Sequence, residues 1–297
     1  MKSRLYLIAL AALSLLALGS CDRSGKPVAT RSYSYVDSAA HTDLTFELEL
    51  PESTQGVAGE IRKGLIDILD SRLAFIGSYE GERLFPKYEG DINDTDALIE
   101  YYRSNALKAL SASADEDYEN RKGYIMDDPD YTDEEKANIL NNFPGYEYDF
   151  SLTKEYETPR YVVFSSIDYI YLGGAHGGVT GEGSVTFDKR NGLQFTDFLK
   201  EDALESMQPL LLKGLTEYFS DNDGSVTEDN VREFLFLDGD TIPFPVWTPA
   251  PTEDGLCFTY QQYEIAAYAM GMPSFIIPYD DIKPFLTPEA IDLLQLK

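Results

Sequence analysis

Hydrophobic and polar positions divide the chain into blocks of different period. Leu5 to Leu18 form an uncharged run of Leu, Ala and Ile interrupted by Tyr6 and Ser14, with Lys2 and Arg4 before it and Gly19 and Ser20 after it. Such a run is shorter than the roughly 20 residues of a comfortable bilayer span. Its order of basic, apolar and small residues predicts a cleaved export signal over residues 1–20. The following stretch, to Ser32, has no apolar period and reads as a flexible tether, so the folded body is expected to begin near Tyr33. Thr45 to Leu50 alternates with period two and ends at Pro51, predicting a half-buried strand. The period then changes: Val57, Ile61, Leu65, Ile68, Leu69, Leu73 and Ile76 share one face of a helix expected from Gln55 to Ile76.

A second helix is expected from Thr95 to about Tyr118, with Asp94 as its N-cap. Asn120 to Pro144 is charged and turn-rich, with a short helix at Asp133 to Asn141, and reads as a boundary or an insertion. Strands dominate next. Tyr148 to Tyr156 alternates, Tyr161 to Leu172 is rich in aromatic and β-branched residues, and Val179 to Asp188 reads as its hairpin partner. Leu204, Met207, Leu211, Leu215 and Phe219 mark another helix, and Thr227 to Phe236 a further one behind Thr227. Leu256 to Tyr260 and Ser274 to Ile277 read as strands, and Pro288 opens a terminal helix. Strands and helices in uneven order predict an α+β fold, a largely antiparallel sheet packed against several helices. The expected division is a tether at 21–32, one α+β module at 33–157 and a second at 158–297.

Composition supports a packed core, since 43% of residues are hydrophobic and 13% aromatic. The formal charge is -28, and loss of the signal leaves 22 basic against 52 acidic residues, or -30. A body this negative repels phosphates, which excludes DNA and RNA as partners and favours cationic ones. The same acidity also serves plain solubility. Leu18-Gly19-Ser20-Cys21 resembles the lipobox of bacterial lipoproteins, which implies acylation of Cys21 and attachment to a membrane of the cell envelope. Cys257 is then the only thiol left, so no intrachain disulfide is expected.

The most unusual local feature is Tyr171-Leu172-Gly173-Gly174-Ala175-His176-Gly177-Gly178, four glycines around one of the two histidines. Either the turn presents His176 as an acid, base or ligand near its ordinary pKa of about 6.5, or His176 locks an unusual hairpin by hydrogen bonding. His41 lies in a loop and reads as solvated. No cysteine or second histidine stands at metal spacing, and no metal or cofactor is expected. Asp221 to Val226 looks like part of a calcium loop, but Phe219 and Asn230 occupy the end positions where acids are needed.

The segment Tyr169 to Gly177, then Phe187-Asp188, Asn191-Gly192, Tyr260-Gln261-Gln262-Tyr263-Glu264-Ile265-Ala266-Ala267-Tyr268-Ala269-Met270-Gly271 and Ile277-Pro278-Tyr279 resemble an RsiV-type C-terminal domain. Residues 33–157 more weakly resemble the module named after the deacetylase PdaC that precedes it in some relatives. In the RsiV anti-sigma factors this extracytoplasmic region binds lysozyme. The resemblance therefore implies a noncatalytic envelope protein that senses or binds a cationic protein such as lysozyme, or a wall glycan. Tyr263, Tyr268 and Tyr279 join the hairpin residues as candidate contacts, because tyrosine combines apolar area with a polar tip. The alternative is an envelope hydrolase that uses His176 with nearby carboxylates on a cell-wall glycan.

Overall fold

The computed structural model describes residues 25–78, 81–174, 177–222 and 224–297. β1 (Thr30–Ala39) and β2 (Thr42–Pro51) form a hairpin, followed by α1 (Gly56–Leu73), α2 (Thr95–Asp127) and α3 (Asp133–Asn141). β3 (Tyr146–Glu157), β4 (Tyr161–Leu172) and β5 (Val179–Asp188) complete a five-stranded sheet in which the strands lie in chain order. Every neighbouring pair is antiparallel except β2 with β3, which run parallel because three helices carry the chain back between them. Alternation decides what each face buries. Leu44, Phe46, Leu48 and Leu50 of β2, Phe150 and Leu152 of β3, and Val162 and Phe164 of β4 pack on Ile61, Leu65 and Leu69 of α1 and Leu98, Tyr102 and Ala106 of α2.

The other face of β4 belongs to a second core. Tyr161 and Val163 join Met207, Leu211, Leu215 and Phe219 of α4 (Ala203–Asn222). A small antiparallel sheet of β6 (Ala250–Pro251), β7 (Gly255–Thr259) and β8 (Ser274–Pro278) adds Leu256, Phe258, Phe275 and Ile277. The chain ends with α5 (Tyr279–Ile282) and α6 (Pro288–Leu294), the latter capped by the Thr287 side chain on the Ala290 amide. β3 and β4, which flank residues 157 and 158, pair from Tyr146–Leu172 to Glu157–Val162. One sheet thus carries a core on each face. The architecture is α+β, with a mostly antiparallel main sheet.

Several details differ from the periodicity. Val28 is buried and β1 starts at Thr30, so ordered chain begins ahead of Tyr33. α2 runs past Tyr118 to Asp127, because its last turns are polar and mostly exposed and carry almost no apolar stripe to read. The helix expected at Thr227 to Phe236 is reduced to a 3-10 turn at Val231–Phe234. Leu235 is drawn into a bridge with Ala266, and the Phe236 amide donates to the Ile265 carbonyl at 2.7 Å, which takes the chain out of the helix. His41 is not simply solvated: its ring stacks on Tyr118 at 4.2 Å and meets the Phe143 edge at 5.3 Å. Among the described residues, no helix is long and apolar enough to cross a membrane.

Candidate functional site

Tyr171, Gly173, Gly174 and Gly177 sit at the end of the β4–β5 hairpin. Gly173 and Gly177 have φ of 67° and 80°, the left-handed region that glycine enters without penalty. Tyr171 Oη donates to the Gly174 carbonyl at 3.0 Å. The Tyr169 ring fills the space a Cβ on Gly178 would need. Ala175 and His176 lie outside the described residues, as does Cys21.

The segment from Tyr260 to Gly271 lies along the free edge of β5 and closes it. Gln262 Oε1 accepts from the Thr180 amide at 2.8 Å, and Gln261 both accepts from the Glu182 amide at 2.9 Å and donates to its carbonyl at 2.7 Å. Tyr268 Oη donates to the Gly178 carbonyl at 2.6 Å. Side-chain amides here do what a sixth strand would do. Replacing Gln261 and Gln262 together with alanine is expected to cost about 1 kcal/mol per lost bond. Hydrogen exchange at the Thr180 and Glu182 amides checks it, and should quicken there first.

The four tyrosines of this region separate into different roles. Tyr260 is fully buried, donates to the Pro243 carbonyl at 2.7 Å, and has its hydroxyl pKa raised by burial and then by Glu264. Tyr263 has φ of 64°, strained for a residue with a Cβ, and is 57% exposed with its ring 5.5 Å from that of Tyr268. Tyr279 does not join them. It lies beyond the opposite end of β8, donates to the Thr252 carbonyl at 2.8 Å, and is pushed up to about 12 by burial.

Beside this closed edge, a cleft of about 310 Å³ opens between β3–β5 and the small sheet. Glu155, Glu182 and Glu253 line it, all exposed, together with Tyr156, Trp247 and Cys257, and among the described residues no Lys, Arg or His does. Hydroxyls floor it: Ser184 donates to Glu155 Oε2 at 3.2 Å, and Thr259 and Ser274 are bonded at 2.9 Å, with Cys257 Sγ 3.4 Å from Ser274 Oγ. Trp247 forms a wall and is held from outside the cleft. A Cβ on Gly183 would fall 1.6 Å from the indole, so only glycine admits the ring. The Arg72 guanidinium of α1 sits 4.2 Å from the indole centre and 3.6 Å from Asp168 Oδ1. Burial pushes the Asp168 carboxyl above the usual range, against the pull of Arg72.

Sequence reasoning singled out the hairpin and the tyrosines and missed this cleft. Its carboxylates come from β3, β5 and the turn before β7, three places with no common period. The available signals were the lone tryptophan in a proline-rich stretch and a glycine inside a strand. Among the described residues, no group of three or more His, Cys, Asp or Glu is placed to hold a metal ion.

Comparison with known proteins bears on the C-terminal part. Residues 196–280 match the family model described as "Protein of unknown function (DUF3298)". No curated protein matches. A solved DUF3298 family member from Bacteroides fragilis is similar at 17% identity over 92% of this chain and 98% of that one, with a TM-score of 0.63. A DUF3298 family protein from Pseudomonas aeruginosa is similar at 14% identity over 91% and 98%, with a TM-score of 0.52. At these identities the likeness is one of fold. The family match includes Tyr263, Tyr268 and Tyr279 and leaves the hairpin and cleft residues Glu155, Glu182 and Gly183 outside it. The chain therefore carries a DUF3298 domain at residues 196–280, within a fold shared with two solved proteins of that family.

Proposed function

We propose that this chain is a noncatalytic binding or sensing protein of the cell envelope, lipid-anchored through Cys21, that holds a cationic protein such as a lysozyme at the cleft beside Trp247. The observation that carries the reading is the lining of that cleft: three exposed glutamates and an indole wall, with no Lys, Arg or His among the described lining residues, in a body of charge -30 once residues 1–20 are removed. A lysine or arginine side chain entering there meets carboxylates beside the indole, one face of which already carries Arg72. Long-range attraction from the rest of the body raises the association rate and is screened over about 8 Å at physiological ionic strength. The RsiV-type resemblance points to the same class of partner. Tyr263 and Tyr268 offer an aromatic platform that also suits a wall glycan. The hydrolase alternative rests on His176, which lies outside the described residues.

The test is retention of lysozyme on the immobilised protein. Binding is expected in about 0.05 M salt and should fade by about 0.5 M. Absence of salt-sensitive retention, with no pull-down on peptidoglycan, contradicts the proposal.

A further inference from the structure

The two outer edges of the main sheet are treated in opposite ways. β5 is closed over most of its length: Gln261, Gln262 and Tyr268 bond its first half, and the Asp188 amide and Thr186 carbonyl pair with Leu193 and Phe195. β1 is the other outermost strand, ten residues long, and among the described residues nothing but β2 bonds its backbone. Of the usual protections of an open edge it has only two charged residues, Arg31 and Asp37. It contains no proline or lysine, and its register with β2 is unbroken from Thr30–Pro51 to Ala39–Thr42, so no bulge turns it away. A flat edge of this length is a template for another strand.

We propose that β1 pairs antiparallel with β1 of a second copy about a two-fold axis at Ser34, extending the sheet through a symmetric dimer. Charge selects this occupant and register. Arg31 and Asp37 are the only charged residues of β1 and lie symmetrically about Ser34. A two-fold axis at Ser34 sets Arg31 opposite Asp37 of the second copy twice over, and Tyr33 opposite Tyr35 of the second copy. An axis at Tyr33 or at Tyr35 pairs neither charge. Asp37 is held ready: Arg103 binds both its oxygens at 2.7 and 2.8 Å and covers the Tyr35 ring at 3.9 Å. The two anionic bodies repel each other, and salt screens that repulsion. Dimer formation therefore strengthens from low to physiological salt, the opposite sign to capture of a cationic protein, so the two proposals fail separately.

Sedimentation of the purified protein at about 100 µM, in about 0.02 and about 0.15 M salt, tests this. The expected result is a dimer at the higher salt that loosens at the lower. Ser34→Lys brings two ammonium groups together on the axis and leaves a monomer. Since Ser34 is exposed, its thermal unfolding should match that of the wild-type monomer, which checks the fold. Arg31→Glu should weaken association at least fivefold. A wild-type protein that stays monomeric, a Ser34→Lys variant that dimerises normally, or an Arg31→Glu variant of undiminished affinity each overturns the proposal.

Discussion

Gly183→Val is expected to expel Trp247 from the wall of the cleft and to destabilise the protein by about 1–3 kcal/mol, the usual cost of overpacking a filled site. The reason is geometric: the space of a Cβ at position 183 is already occupied by the indole, at 1.6 Å. Valine is intrinsically the better strand residue, so propensity alone predicts the opposite sign. The two explanations separate in the Trp247→Ala background. There the ring is gone, and Gly183→Val should be neutral or slightly stabilising. An equal cost in both backgrounds, read from denaturant unfolding, would show that something other than the indole forbids a side chain. Trp247 is the sole tryptophan, so its emission reports the expulsion directly.

The second large effect concerns how the two cores share β4. Phe164 is fully buried among Val162, Val185 and Phe187 on the α1 face, while Val163 beside it in sequence faces α4. Truncation to alanine should cost about 3–5 kcal/mol and lower the unfolding midpoint by roughly 10 °C for a chain of this size. Because the strand that loses its anchor also supports the second core, a single calorimetric transition should move as one. Two transitions, with only one displaced by Phe164→Ala, would mean that the cores unfold independently despite the common sheet.

The elements with a strong local pattern were legible in the sequence. The apolar stripes of α1 and α4 and the alternation of β2 and β3 are written in neighbouring residues, as are the limits of α3, β4 and β5. What escaped depends on remote partners. β1 carries only Tyr33 and Tyr35 as its inward apolar residues, set among serines, and its identity as a strand comes from β2. The parallel pairing of β2 with β3 is fixed by where three helices deposit the chain. The stretch at Thr227 has helical spacing, but the Leu235–Ala266 bridge overrides it.

The site was legible in part. The motif from Tyr260 to Gly271 stood out in the sequence, yet its glutamines prove to be the closure of an exposed sheet edge. A glutamine pair has no local period that would announce such a task. The cluster of hairpin glycines stood out in the sequence, and Gly173 and Gly177 there adopt positive φ. The cleft was invisible because Glu155, Glu182 and Glu253 are three of 52 acidic residues, brought to one cleft only by folding.

The most direct measurement is the emission of Trp247 during titration with a short oligolysine peptide free of aromatic residues. If the cleft is the cation site, emission changes saturably at low salt, and raising the salt reverses the change. Converting Glu155, Glu182 and Glu253 together to glutamine should then weaken the apparent affinity about tenfold, a loss of about 0.5 kcal/mol per exposed charge. Unchanged emission at saturating peptide, or the same titration curve for the triple variant, would contradict the account.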